Sequence, residues 1–333
     1  MMSHLPDLSV VIPTYNRPDD LERVLDGLMR QEAGGVTYEV IVVDNKSCEV
    51  TRAVVDRTVA RGTPVSLRYI REPRQGVSYA RNTGVSIARA SLIAFLDDDG
   101  VPVPTWVREI TRAFDEYPDV DCIGCRVRPV WSTPPPSWLT PTQWGPIAIQ
   151  DRPKPAPFDR DHAWGCLLSA NLACRREAFD EVGGFSPLYP RSQDREFELR
   201  LWRAGKRGLY LPIADVLVDV PRQRLTKAYH RRWQVVVAHY HAKMRYHDTI
   251  DASGRLVADG TYRTYLGVPR FMYRGCIGHV GAWLRAAVTG RRDERFHQEL
   301  RIRYYFSFFR TRWATALAPG SRWSRSSPRL STT

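Results

Sequence analysis

No run of eighteen apolar residues occurs in this 333-residue sequence, so no segment reads as a membrane-spanning helix. Residues 1–8 place no basic patch before an apolar stretch, and no secretory signal is expected there. Cysteine is sparse. The six cysteines are scattered along the chain, which points to reduced thiols in a cytoplasm rather than a disulfide framework. Cys122 and Cys125 form one C-x-x-C, but no second pair stands at zinc spacing, so they are expected to fill a strand. Glycine-rich phosphate loops are missing as well. No G-x-G-x-x-G follows the first apolar run, and no G-x-x-x-x-G-K-S/T occurs anywhere. A dinucleotide-binding fold and a P-loop NTPase are both disfavoured by this. Acidic residues, finally, thin out late in the chain. From Pro221 onward there are 22 Lys/Arg against 6 Asp/Glu, whereas the residues before it carry 27 against 30. The whole excess behind the net charge of +13 therefore lies in the last third. Such a segment suits nucleic acid, an anionic membrane surface or acidic substrates.

What is present is enough apolar residue, 43%, for one large domain or two ordinary ones. Apolar runs at 8–12, 38–43, 65–70 and 91–96 alternate with helical patterns that begin near Asp19 and at 50–60 and 77–88. Strands alternating with helices predict a parallel α/β sheet with right-handed crossovers. A helix over 106–117 and a strand over 121–127 follow. Residues 129–157 are rich in Pro and Trp and lack periodicity, as in a lid, an acceptor-site wall or a disordered segment. A short helix over 175–182 ends at Gly183-Gly184. Another runs from Ser192, a potential cap, to Trp202, and a short edge strand is expected at 208–212. In that second helix Phe197, Leu201 and Trp202 would face the core, with Asp194 and Glu198 on another side.

The chemistry gathers where apolar strands meet carboxylates. Leu92-Ile93-Ala94-Phe95-Leu96 runs directly into Asp97-Asp98-Asp99. Ligands of open parallel sheets bind beyond the carboxyl ends of the strands. Three adjacent acids there repel one another unless a cation joins them. Hard carboxylate oxygens suit Mg²⁺ or Mn²⁺. The plainer reading is an acidic loop or cap before the helix that starts after Thr105. Asp44 also follows an apolar strand directly. Asp194 falls in the first turn of its helix, where the dipole favours an anion.

The order of the motifs resembles a family 2 glycosyltransferase of GT-A fold over roughly the first two-thirds of the chain. The motifs are Val10-Val11-Ile12-Pro13-Thr14-Tyr15-Asn16-Arg17, then Val42-Val43-Asp44-Asn45-Lys46-Ser47, then Gly76 with Ala80-Arg81-Asn82-Thr83-Gly84. Phe95-Leu96-Asp97-Asp98-Asp99, Asn171 with Arg175, Gly183-Gly184-Phe185 and Gln193-Asp194 complete them. The resemblance implies an α/β, GT-A type, mostly parallel sheet flanked by helices, followed by a basic, mainly helical region. It implies a nucleotide-sugar site made of Pro13, Thr14, Tyr15, Arg17, Asp44, Asn45, Arg81, Asp97 and Asp98. Asp44 would accept from the base edge. Asp99, with Asp97, would hold a divalent metal (Mg²⁺ or Mn²⁺) on the diphosphate. Arg81 would hold phosphate or serve as a salt-bridge partner. Asp194 would be the general base of an inverting transfer, with Glu196 and Glu198 as rivals.

Two departures stand out. Many relatives carry a His before a Val-Pro pair; here Val218 takes that place, with Asp219 beside it. The usual Glu-Asp is Gln193-Asp194. No Q-x-x-R-W follows, so the processive polysaccharide synthases match poorly. Sugar-nucleotide pyrophosphorylases would need a Gly-rich loop that residues 13–18 do not provide.

The expected layout is a glycosyltransferase domain over 1–220, with its nucleotide part over about 1–127 and its acceptor part over about 128–220. A helical basic region over 221–318 and a disordered tail over 319–333 follow. Helices are expected over 224–246, within 262–290 and over 295–317. His239, His241 and His247 are placed on the first, at spacings that disfavour zinc. Aromatic residues interleaved with Arg suit a membrane interface, and no nucleic-acid module is present. The expected function is transfer of a sugar from a nucleoside-diphosphate sugar to a glycan or lipid-linked acceptor in cell-envelope synthesis, at the inner face of the cell membrane. The alternative is a non-catalytic, membrane-peripheral nucleotide-sugar-binding protein.

Overall fold

The computed structural model describes residues 5–163 and 165–318. The tail expected over 319–333 lies outside the described residues, as do residues 1–4. The chain divides into two compact units, Met1–Pro134 with Thr142–Arg222, and Pro135–Pro141 with Gln223–Thr333.

The first unit is built on a nine-stranded sheet. It opens with β1 (Leu8–Thr14), α1 (Pro18–Met29), β2 (Tyr38–Asp44), α2 (Glu49–Ala60), β3 (Ser66–Arg71), α3 (Val77–Ile87) and β4 (Leu92–Leu96). β1 and β2 are buried along their whole length, as expected for strands covered on both faces. β5 (Gly100–Pro102), α4 (Trp106–Glu116), β6 (Cys122–Val130), β7 (Ala156–Phe158), β8 (Asn171–Arg175), α5 (Arg176–Val182), α6 (Gln193–Arg203) and β9 (Gly208–Asp219) follow. The strand order is β3-β2-β1-β4-β8-β6-β9-β5, with β7 also on β9. The first four strands are parallel. β8 then runs antiparallel between β4 and β6. β6 and β9 pair in parallel again, so the sheet is mostly parallel, with β8 and the short β5 and β7 running the other way.

Several local expectations are corrected. The segment at 208–212 is no short edge strand. β9 is twelve residues long and lies inside the sheet, with β6 on one side and β5 and β7 on the other. Ser192 makes no side-chain cap. Its backbone is left-handed, φ 60°, and its carbonyl accepts from Glu196 N–H at 3.0 Å. Residues 129–157 contain two 3-10 turns and β7, and Gln150 exchanges both backbone bonds with Val127. Cys122 and Cys125 are buried in β6, and all six cysteines are free.

The second unit packs α7 (Lys227–Lys243), α8 (Arg270–Val288) and α9 (Arg292–Leu317) beside a hairpin of β10 (Thr264–Tyr265) and β11 (Val268–Pro269). Its core is Ala238, Ala242, Val268, Met272, Cys276, Phe308 and Phe309. Trp138 sits edge-on to His230 and Phe296, at 4.8 and 4.9 Å between ring centres. α7 stops at Lys243, short of the expected 246. Arg245 is left-handed, φ 55°, and donates to Asp248 at 2.8 Å, which turns the chain. His247 therefore stands off the helix, yet it shares the Tyr304 hydroxyl with His241, at 2.8 and 2.7 Å. Hydrogen-bonded side chains and ring packing account for these histidines.

The seating of α3 on β1 is tight at one point. A Cβ on Gly84 would stand 2.2 Å from Val11 Cγ1. Gly84→Ala should destabilise by about 1–3 kcal/mol through overpacking, partly offset by up to about 1 kcal/mol of helix propensity. A lowered urea midpoint, recovered in part by Val11→Ala in the same chain, is the expected outcome. An unchanged midpoint would mean that α3 is not seated this way.

Candidate active site

The parallel register brings the ends of four strands level. Thr14 pairs with Asp44 and Asp44 with Arg71, while Val11 pairs with Phe95, which carries Asp98 alongside Thr14. The Thr14 hydroxyl donates to Asp98 Oδ2 at 2.8 Å, and Tyr15 N–H reaches the same oxygen at 3.4 Å. Arg17, just before α1, donates to Asp99 Oδ2 at 2.6 Å and to Asp98 Oδ1 at 3.3 Å. Arg81 of α3 donates to Asp97 Oδ1 at 2.9 Å. Three adjacent acids are thus met by two arginines from different elements. Burial pushes the Asp98 carboxyl up to about 6, while Thr14 and Arg17 pull it back down. Burial also raises the Asp97 pKa; Arg81 opposes this, and the negative charges of Asp99 and Asp194 add to it.

Arg81 does more than pair. It is buried, its guanidinium lies 5.5 Å from the Phe185 ring centre, and its Nε and Nη1 are buried without a hydrogen-bond partner. Leaving a buried donor unmade costs about 1–3 kcal/mol. Two such donors beside a cluster of acids constitute a ready receptor for oxygen ligands.

Pro13, Asp44 and Asn45 lie deeper. Pro13 is buried in β1 opposite Val43. Asp44 accepts from Ser47 N–H at 2.7 Å and from the Tyr69 hydroxyl at 2.5 Å. Asn45 donates to the Arg74 carbonyl at 2.6 Å and accepts from Gly76 N–H at 2.7 Å, which stitches the loop before α3 onto β2. Tyr15 is about half exposed, at 49%. Tyr15 and, in part, Arg17 are therefore open to solvent, whereas Asp44 and Asn45 are buried.

Asp194 lies in the first turn of α6, partly exposed, and its Oδ1 accepts from Arg195 N–H at 2.9 Å. The rivals are otherwise engaged. Glu196 is clasped by Arg200 at 2.8 and 3.0 Å, and Arg200 also donates to the carbonyls of Gly183 and Gly184. Glu198 was expected away from the core; it is instead buried at 1% exposure and accepts Leu167 N–H at 2.7 Å. Burial pushes its pKa up to about 8, so it is a neutral acid inside the fold. Val218 is buried in β9 opposite Gly100, while Asp219 is paired with Arg23.

Some participants went unread in the sequence. Asp20 pairs with both Arg17 and Arg23, so ion pairs run from Asp98 and Asp99 along the start of α1 to Asp219. The spacing of Arg17, Asp20 and Arg23 on one helix face was a legible signal. Asn82 was read as part of the motif over 80–84, but its pairing was not. Its amide brackets Phe185, donating to the carbonyl and accepting from the N–H at 2.8 Å each. A Cβ on Gly184 would come within 2.3 Å of Asn82 Oδ1, so glycine there permits the close approach. Asn171 accepts from the Trp106 indole and donates to two carbonyls, and it serves the scaffold.

Among the described residues no three His, Cys, Asp or Glu side chains are gathered into a metal cluster. A Mg²⁺ or Mn²⁺ ion on a diphosphate needs only one or two protein carboxylates, the phosphates supplying further oxygens. Asp97 and Asp99, on one turn closed by Gly100 N–H to the Asp97 carbonyl at 3.1 Å, fit that smaller requirement.

Comparison with known proteins gives a consistent pattern. The model of Glycosyl transferase family 2 matches residues 9–183. Validoxylamine A glucosyltransferase from Streptomyces hygroscopicus subsp. limoneus is 41% identical over 113 residues, 33% of this chain and 24% of that protein. Glucosyl-dolichyl phosphate glucuronosyltransferase from Haloferax volcanii is 24% identical over 217 residues, 61% of this chain and 66% of that one. The chain thus spans about a quarter of the first relative and about two-thirds of the second. Among solved structures, a mannosyltransferase from Pyrobaculum calidifontis in complex with GDP-Man and Mn²⁺ aligns with a TM-score of 0.59 at 18% identity. That alignment covers 93% of this chain and 88% of that one. S. aureus TarS 1–349 with UDP-GlcNAc aligns at 0.52 and 15% identity, over 93% and 90% of the two chains. These likenesses show a shared fold.

Glu198 gives a pH test. Its pKa rises from 4.5 to about 8 on folding, so between those values the folded chain keeps a proton that the unfolded chain has released. Stability should fall as pH rises through that window and be unaffected below it. Glu198→Gln stays neutral, so it should match the wild type near pH 4 and exceed it by about 2 kcal/mol or more near pH 8. Urea unfolding at the two pH values checks this; a gap independent of pH would remove the neutral-acid assignment.

Proposed function

The chain belongs to glycosyl transferase family 2, and we propose that it transfers a sugar from a nucleoside-diphosphate sugar to an acceptor hydroxyl with inversion at the anomeric carbon. The observation that carries this reading is the Arg81 guanidinium, whose two unpartnered buried donors stand beside Asp97 at the carboxyl end of the parallel strands. Donor binding is assigned to about residues 1–127 and acceptor binding to about 128–220.

In this reading Arg81 and Arg17 hold diphosphate oxygens, and Tyr15 offers the exposed ring of the donor pocket. Thr14 fixes Asp98, whose neighbours Asp97 and Asp99 are the metal-holding carboxylates. A divalent ion, Mg²⁺ or Mn²⁺, would act there as a Lewis acid that takes up charge on the departing diphosphate. Asp194 removes the acceptor proton as the hydroxyl oxygen attacks. Glu196, clasped by its arginine, and Glu198, buried, are less suited to that role. A single displacement needs no enzyme nucleophile.

The acceptor is proposed to be a glycan or lipid-linked molecule of the cell envelope, met at the inner face of the cell membrane through the basic helical unit. Among the described residues no helix is long and apolar enough to cross a membrane. Contact of this kind would be at the surface.

A thermal-shift screen of nucleoside diphosphates and nucleotide sugars, each with Mn²⁺, Mg²⁺ or EDTA, is the direct test, since a ligand selective for the native state raises its stability. One nucleotide should shift the melting temperature with metal, and Asp99→Ala should lose that shift with the fold intact. No shift with any nucleotide would sink the donor-site reading. Asp194→Asn should keep the donor shift but lower kcat by about 10²–10⁴-fold. Full turnover in that variant would move the base elsewhere, and binding without turnover in the wild type would favour a non-catalytic binding protein.

A further inference from the structure

α8 is apolar on two sides. Its inner side, with Met272 and Cys276, joins the core formed with Phe308 and Phe309 of α9. Its outer side carries Ile277, Val280, Leu284 and Val288, at spacings of three, four and four, which align on one helix face. They are 72%, 36%, 53% and 88% exposed. Gly278 and Gly281 lie on the outer side too, and a Cβ on either would meet nothing within 4 Å. Arg270, Arg274 and Arg285, all exposed, border the stripe, and no Asp or Glu occurs anywhere in the helix. Ala286, on the buried side of its last turn, lines an open cleft of about 380 Å³ with Ala287, Gly290, Arg292 and Arg295.

We propose that this outer face of α8 lies on an anionic lipid surface. Ile277, Leu284 and Val288 enter the boundary between headgroups and acyl chains, and the three arginines stand at phosphate level. The inference rests on the reading above that the basic unit meets a membrane, and it names the surface and the lipid charge. The charge pattern selects the occupant. A second copy packed two-fold on this face would set arginine against arginine. Residues 319–333 carry only basic charge and do not complement it either. An anionic bilayer satisfies both the stripe and its border.

The test is co-sedimentation of the full chain with phosphatidylcholine vesicles, and with vesicles in which one lipid in three is phosphatidylglycerol. Binding should require the anionic lipid. Arg274→Gln with Arg285→Gln should weaken it about thirty-fold, at about five-fold per arginine. Ile277→Ser with Leu284→Ser should weaken it about ten-fold or more. Arg57→Gln, exposed on the other unit, should leave it unchanged. All these positions are on the surface, and the nucleotide-induced thermal shift of each variant reports the donor site separately, so failure of one reading is distinguishable from failure of the other. Absence of binding to anionic vesicles overturns the inference. So does equal loss in Arg57→Gln, or a wild-type dimer that Ile277→Ser with Leu284→Ser dissociates.

Discussion

Mutual repulsion among Asp97, Asp98 and Asp99 is the constraint around which the first unit is arranged. Two unit charges about 4 Å apart interact by about 4 kcal/mol at an effective dielectric near 20, and here three stand in sequence at a partly buried sheet end. The fold answers with cations brought from elsewhere. Arg17 arrives from the loop after β1 and Arg81 from the buried face of α3. The Thr14 hydroxyl fixes the middle acid. Each partner depends on the parallel register, which carries Asp98 alongside Thr14. A change in that register would separate the acids from their counterions.

The same arrangement engages some polar groups fully and others only in part. Asp44 and Asn45 are consumed by the scaffold, one between Tyr69 and Ser47 and the other between Arg74 and Gly76. Arg81 is only partly consumed, since one nitrogen meets Asp97 and two buried nitrogens meet nothing. Unpaired buried donors are costly in a folded protein, and it is on these two that the proposed donor site rests. Asp194 adds the last element. It stays partly exposed while Glu196 is held by Arg200 and Glu198 is withdrawn into the core.

Much of the fold was legible from the chain itself. Apolar runs ending at Ile12, Val43 and Leu96 marked three strands and the edge at which ligands were expected, because strands buried on both faces leave a continuous apolar signature. The order of the motifs then indicated the family, which the match over residues 9–183 bears out. β9 was read too short because Pro212 suggested an end, whereas pairing with β6, β7 and β5 carries the strand through to Asp219. Glu198 was placed outside the core because a carboxylate is ordinarily solvated. Nothing local shows that a backbone N–H thirty-one residues earlier waits for it.

The sequence by itself determined the alternation of strands and helices, the apolar core and the three acids at a strand end, since these follow from periodicity and composition. The tertiary structure alone decided which arginine meets which acid, which donors of Arg81 stay unpartnered, and that Glu198 is buried while Asp194 is partly exposed. It also decided that α8 turns an apolar stripe outward beside its arginines. These are relations between residues far apart in the chain, and they are set by register and packing, which no local pattern encodes.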